Sequence, residues 1–229
     1  MSAVEVIEVT KRYPGAAGVD ALKAVSLKVE DGEFMAIAGP SGSGKTTLLN
    51  LIGALDVPTA GTVHVGGRSL SGLNRRQLAD LRRDKVGFVF QAYNLIPVLT
   101  AAENAEYVLE LQGMPASKRR ERVKEVFEKL GIAAFLDARP PKMSGGQQQR
   151  VAVARAVAAT PAVVLADEPT ANLDQATGRA LIEMMRELNK ERGTTFVFST
   201  HDPMVLEQAD RVVRLVDGRI VSDERKPKA

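Results

Sequence analysis

Apolar and polar positions alternate at the start of the chain. Val4-Glu5-Val6-Ile7-Glu8-Val9 repeats at period two, and so does Leu27-Lys28-Val29 before the turn at Asp31-Gly32. That period places alternate side chains on one face, so these runs predict an antiparallel β layer. Phe34-Met35-Ala36-Ile37-Ala38 is apolar throughout, the pattern of a strand buried on both faces. Val86–Phe90, Ala162–Ala166 and Thr195–Ser199 repeat it. Helical patterns separate these strands, beginning with Thr47–Ile52, which points to a parallel sheet in an α/β fold. Val212–Val216, the turn Asp217-Gly218 and Arg219–Val221 read as a closing hairpin.

Between about residues 92 and 158 the β pattern stops. Thr100-Ala101-Ala102-Glu103 is a capping-box signature opening a helix through Leu111. Ser117–Leu130 is a charged amphipathic helix ended by Gly131, and Ser144 opens another carrying Val151, Val153, Ala154 and Val157. This stretch reads as an all-helical subdomain inserted into the sheet. The remainder, about 1–91 and 159–223, reads as core plus β layer of a single domain. The tail Glu224–Ala229 reads as a frayed end.

Composition narrows the function classes. With 229 residues and 45% hydrophobic content, the chain suits one good-sized core with a subdomain. Charged residues make up 26%, which excludes a disordered or fibrous class. The net charge of +3 does not by itself argue for nucleic acid. There is no cysteine, hence no disulfide framework or thiolate metal site, and a reducing compartment is permitted. Only two histidines occur, His64 and His201; His64 reads as a surface strand residue. Glu5 and Glu8 stand where a secretory signal would need an apolar core. The longest charge-free stretch, Val86–Ala102, is broken by Gln91, Asn94 and Pro97, so no membrane span is expected.

Gly39-Pro40-Ser41-Gly42-Ser43-Gly44-Lys45-Thr46 fits the P-loop pattern between a buried strand and a helix. Glycines let backbone N–H groups turn inward around phosphate oxygens. Lys45 supplies positive charge to the β and γ phosphates, and Thr46 offers a hydroxyl to Mg²⁺. The helix that follows, with Thr47, aims its positive end at the same anion. A second strand end carries Asp167 and Glu168. Side-chain alternation sends adjacent carboxylates to opposite sides, so Asp167 is assigned to the metal and Glu168 to polarising a water.

Met143-Ser144-Gly145-Gly146-Gln147 follows Pro140-Pro141 and precedes a helix. Here the chain resembles an ATP-binding cassette (ABC) ATPase, whose signature is usually Leu-Ser-Gly-Gly-Gln; methionine for leucine conserves volume. The resemblance covers essentially the whole chain and implies a RecA-like P-loop core. Tyr13 matches the aromatic that stacks on adenine, Gln91 the glutamine after a buried strand, and His201 the histidine beyond the next strand. Ala171-Asn172-Leu173-Asp174 matches the loop after the carboxylate pair, although relatives often begin it with Ser or Gly. Taken singly, Tyr13 reads as a packing aromatic and Gln91 and His201 as polar loop residues. Their shared order carries the assignment.

The Ser144 helix end is itself an anion site, so one chain owns two phosphate-binding ends. The resemblance implies the resolution: two copies pair head-to-tail and enclose two ATPs, each signature meeting the ATP of the other P-loop. It also implies catalysis by Glu168, contact of His201 with the γ-phosphate, contact of Gln91 with Mg²⁺ or the water, and linkage of the two sites through Asp174. Phe90–Pro97, Leu165–Asp174 and Phe198–Asp202 look like the branch of MacB-type exporters and the LolD lipoprotein-release ATPase. That implies a separate transmembrane permease subunit and a place at the cytoplasmic face of the cell membrane. The apolar stretch Gln91–Thr100 reads either as subdomain core or as a groove wall for a short helix of that subunit. No C-terminal regulatory domain and no fused membrane segment are expected. Two other assignments stay open: a non-transporting regulator of the cell-division type, and a soluble ABC ATPase acting on nucleic acid. The basic residues Arg75, Arg76, Arg82, Arg83 and Lys118-Arg119-Arg120 are interspersed with or followed by acids and read as a solvated face, so no nucleic acid is expected.

Overall fold

The computed structural model describes residues 2–14 and 18–226. The β layer is a four-stranded antiparallel sheet of β1 (Ser2–Tyr13), β2 (Val19–Glu30), β4 (Ala60–Val65) and β5 (Arg68–Ser69), in the order β2-β1-β4-β5. The second sheet has six strands in the order β10-β9-β3-β8-β7-β6. In it β3 (Phe34–Ala38), β6 (Val86–Phe90), β7 (Val163–Asp167), β8 (Phe196–Ser199) and β9 (Arg211–Val216) run parallel. β10 (Arg219–Arg225) closes one edge antiparallel to β9. The helices are α1 (Lys45–Ile52), α2 (Arg75–Lys85), α3 (Ala101–Leu111), α4 (Ala116–Lys129), α5 (Gly145–Ala158), α6 (Gln175–Arg192) and α7 (Pro203–Gln208).

The apolar strands alternate between two cores. Phe34, Ala36, Val164, Ala166, Phe196 and Phe198 pack with residues of α3–α6 such as Leu109, Phe127, Val151 and Leu181. Met35, Ile37, Val163, Leu165 and Val197 pack on the other face with Leu48 and Leu51 of α1 and Val4, Val6 and Val63 of the β layer. Covering both faces explains why no polar residue interrupts β3.

The predicted helix ends are present. Thr100 with Glu103, and Ser144 with Gln147, form reciprocal capping boxes, and Asn74 with Gln77 forms a third at α2. α1 starts at Lys45, two residues before the predicted start. The chain end departs from expectation. Glu224 and Arg225 pair with Val212 and Arg211 in the β10–β9 ladder, and Lys226 donates to the carbonyl oxygens of Leu206 and Glu207, so the chain is ordered to 226; Pro227–Ala229 lie outside the described residues. His64 lies on β4 but is half-buried, with Nδ1 enclosed. Several of the basic residues meet acids: Arg83 pairs with Asp80 and Asp84, Arg119 with Glu106 and Glu110, and Arg120 with Glu106 and Asp137.

Candidate active site

β3 lies between β8 and β9, and the chain leaves its C-terminal end into Gly39–Gly44 and then α1. Gly39 has φ +155° and Gly44 φ +105°. A Cβ on Gly39 would stand 2.1 Å from the Leu215 carbonyl oxygen, and one on Gly44 2.5 Å from that of Ala21. Backbone packing therefore demands glycine at both places, beyond any contact with phosphate. Lys45 Nζ donates to the carbonyl oxygens of Gly39 (2.8 Å) and Pro40 (3.0 Å), which fixes the ammonium across the loop. No side chain caps α1 and no acid stands in its first turn, so its N–H groups have no side-chain competitor for an anion. The turn between β9 and β10 props the loop, with Gly218 N–H donating to Ser43 O at 3.0 Å.

Thr46 Oγ1 lies 3.2 and 3.4 Å from the two carboxylate oxygens of Asp167, at the end of β7. Glu168 lies one residue beyond the strand with φ +45°, a left-handed turn that costs roughly 1–2 kcal/mol. Its N–H donates to Ser199 O (2.9 Å). One carboxylate oxygen is 2.7 Å from His201 Nδ1, and the other accepts from Thr200 Oγ1 at 3.1 Å. The expectation that alternation sends the two acids to opposite sides is corrected: the turn at Glu168 brings both onto one cleft.

That cleft has a volume of about 870 Å³ and is lined by Gly39, Pro40, Ser41, Gly42, Ser43, Gly44, Lys45, Thr46, Thr47, Gln91, Asp167, Glu168 and His201, together with Val19, Asp20, Ala21, Lys23 and the Asp217-Gly218 turn. A hydroxyl and one carboxylate are hard oxygen donors. Among the described residues no group of three or more His, Cys, Asp or Glu could hold a metal alone. The donor set fits a cation such as Mg²⁺ that takes its other ligands from phosphate and water.

Three sets of expected site residues lie off this cleft. Tyr13 donates its hydroxyl to Asp56 (2.9 Å), and Lys11 Nζ sits 4.8 Å over its ring. Ser144 and Gln147 are engaged in the cap of α5. Gly145 and Gly146 are closely packed, since added Cβ atoms would come within 2.8 Å of Tyr93 Oη and 2.5 Å of Thr177 Cγ2. Asp174 caps α6, accepting from Thr177 N–H (3.0 Å) and Thr177 Oγ1 (2.6 Å); these bonds hold its carboxyl below the usual range.

Sequence reading named His201 but gave no role to Thr200 and Asp202, which also hold Glu168 in place. Thr200 is fully buried, receives the Asp202 N–H (3.0 Å), and Asp202 accepts from Thr170 Oγ1 (2.8 Å). The available signal was Asp202 followed by Pro203, the start of a helix, which α7 realises. For the apolar stretch Gln91–Thr100, Leu95 packs against the core of the helical part and Asn94 lines a neighbouring cavity. That cavity, of about 370 Å³, is walled by Leu55, Phe88, Phe90, Val108, Leu111 and Ala156, with Arg155 at its rim, and of Gln91–Thr100 only Asn94 lines it.

A glycine loop over a helix N-terminus, a Thr–Asp pair and a Glu–His pair at the C-terminal edge of a parallel sheet define a P-loop nucleoside triphosphatase. The ABC transporter family profile matches residues 22–171. An ABC transporter ATP-binding protein of Thermotoga maritima is 48% identical over 97% of this chain and 95% of its own length. MacB, a macrolide export ATP-binding/permease protein, from Aggregatibacter actinomycetemcomitans is 44% identical over 99% of this chain, which spans 35% of MacB. The solved dimeric post-hydrolysis structure of the ATP-binding cassette MJ0796, bound to ADP and Pi, superposes with a TM-score of 0.90 at 43% identity, over 99% of this chain and all of that one. The chain belongs to the ABC transporter family and is its ATP-binding, ATP-hydrolysing cassette.

Proposed function

We propose that this cassette works as a homodimer enclosing two ATPs and drives a separate membrane subunit of the exporter or lipoprotein-release type. The observation that carries this reading is the division of the phosphate-binding ends. The N-terminus of α1 lines the cleft with Lys45, whereas that of α5, capped by Ser144, does not. A second copy supplies the missing end. The MJ0796 cassette, seen as a dimer with ADP and Pi, supports the pairing.

In this reading Lys45 and the loop N–H groups bind the β and γ phosphates, and Thr46, Asp167 and Gln91 hold Mg²⁺. When bound, Mg²⁺ offsets the phosphate charge. Glu168 accepts a proton from the attacking water or polarises it, and His201 orients Glu168 and reaches the γ-phosphate. Tyr13, anchored by Asp56, offers a ring face to adenine. Ser144-Gly145-Gly146-Gln147 meets the ATP of the other copy, and Asp174 links the two centres. Residues 1–229 act as one cassette, with the helical part at about 92–158 carrying the signature.

No helix among the described residues is long and apolar enough to cross a membrane. In this reading the apolar groove beside α3, walled by Phe88, Phe90, Val108 and Leu111, takes a short helix of the membrane subunit, which holds the cassette at the cytoplasmic face. The likeness to MacB supports an exporter-type partner.

The test is Glu168→Gln. Nucleotide affinity stays near wild type, phosphate release falls by about 10²–10⁴-fold, and a dimer accumulates with ATP on size-exclusion chromatography. Unchanged phosphate release would overturn the role of Glu168.

A further inference from the structure

Gln149, on the second turn of α5, is fully buried and makes contacts that no role above uses. Its Nε2 donates to Pro169 O at 2.7 Å and, over a longer 3.4 Å, to Phe90 O. Pro169 directly follows Glu168, and Phe90 directly precedes Gln91. Its Oε1 is enclosed without a hydrogen-bond partner among the described residues.

That half-used amide is informative. A methionine of similar length would fill the same space and remove the orphaned Oε1, but it would leave the Pro169 carbonyl without its donor. What only the amide supplies is a pair of donated bonds, each ending one residue from a group expected to act on ATP. Further contacts tie the same pieces. Arg155 of α5 donates to the carbonyl oxygens of Tyr93 and Asn94, two successive residues with φ +59° and +50°. Asn172 Nδ2 donates to Gln91 O at 2.9 Å. The helix that begins at Ser144 is thus bonded to both loops that carry Gln91 and Glu168.

We propose that Gln149 is a positioning residue: it sets Glu168 and Gln91 in register with the Ser144 helix, so that engagement of that helix by nucleotide aligns the hydrolytic groups. The inference rests on the proposed roles of Glu168 and of the Ser144 end. Gln149 touches no substrate. A shift of α5 pulls on Phe90 and Pro169 together, because one amide holds both carbonyls.

Gln149→Met separates this role from packing. Expected are a melting temperature lowered by no more than about 6 °C, the scale of one lost buried hydrogen bond, nucleotide affinity and KM for ATP within about 3-fold of wild type, and a kcat lower by about 10- to 100-fold, the scale of a small misalignment. In a Glu168→Gln background the same change leaves the ATP-dependent dimer intact on size-exclusion chromatography. Gln149→Glu gives a second readout. Its carboxylate faces two carbonyls and cannot donate, whereas its protonated form donates one bond; burial raises its pKa. Its kcat relative to wild type therefore climbs as pH falls. Wild-type kcat in Gln149→Met overturns the inference, and so does a kcat loss accompanied by a larger drop in melting temperature or by lost affinity, or a flat pH ratio in Gln149→Glu. If Glu168→Gln alone turns over normally, the proposed role of Glu168 fails instead.

Discussion

At the scale of single residues, charge is held by local partners. Burial would raise the Asp56 carboxyl, but Lys11 Nζ at 2.6 Å, the Val57 N–H at 2.7 Å and the Tyr13 hydroxyl together hold it below the usual range. Arg211, through two bonds of 2.6 Å, does the same for Asp223 against the effect of burial. A carboxyl whose pKa is depressed on folding contributes stability above its unfolded pKa and loses it as pH falls through the folded value. The melting temperature is therefore expected to drop as pH falls below about 4. In Asp56→Asn the melting temperature at pH 7 is lower and the acid limb shallower. A scan from pH 7 to 2.5 checks this, and an acid limb as steep as wild type would contradict it.

At the scale of elements, α3 and α5 begin with the same device. Thr100 and Ser144 each accept the N–H of the residue three positions on, and Glu103 and Gln147 each accept the cap residue's N–H. As caps the two are equivalent, so Thr100→Ala and Ser144→Ala should each cost about 0.5–2 kcal/mol in chemical denaturation. Phosphate release should separate them. Thr100→Ala keeps turnover, whereas Ser144→Ala loses it well beyond its stability cost, because in the proposed function only Ser144 also serves nucleotide. Equal activity losses would leave Ser144 a cap alone. Each box lies within four consecutive residues, which is why both were legible in the sequence. The left-handed turn at Glu168 was not, since nothing in Ala166-Asp167-Glu168-Pro169 marks a positive φ on glutamate.

At the scale of the whole molecule, the protomer completes a phosphate cradle but leaves the Ser144 end of α5 off its own cleft. Specific activity is expected to rise with protein concentration and to vanish where sedimentation shows monomers only. Full hydrolysis per protomer at such dilutions would rule out a shared site. The apolar groove beside α3 belongs to this scale as well, because strand β6, α2, α3 and α5 all contribute to its wall.

What the sequence determined by itself is whatever depends on near neighbours: strand and helix periods, caps, the glycine loop and the order of the motifs. Periodicity fixes which face an element buries, and a contiguous loop carries its own geometry. The tertiary structure alone decided which distant groups meet. Thr46 and Asp167 are 121 positions apart, and Glu168 finds Thr200 and His201 from 32 and 33 positions away. It also decided that Tyr13 binds Asp56, that Gln149 spans two loops, and that an apolar cavity opens beside Phe88 and Leu111. Those contacts follow from the order in which parallel strands assemble, and strand order is a property of the folded core that no local pattern encodes.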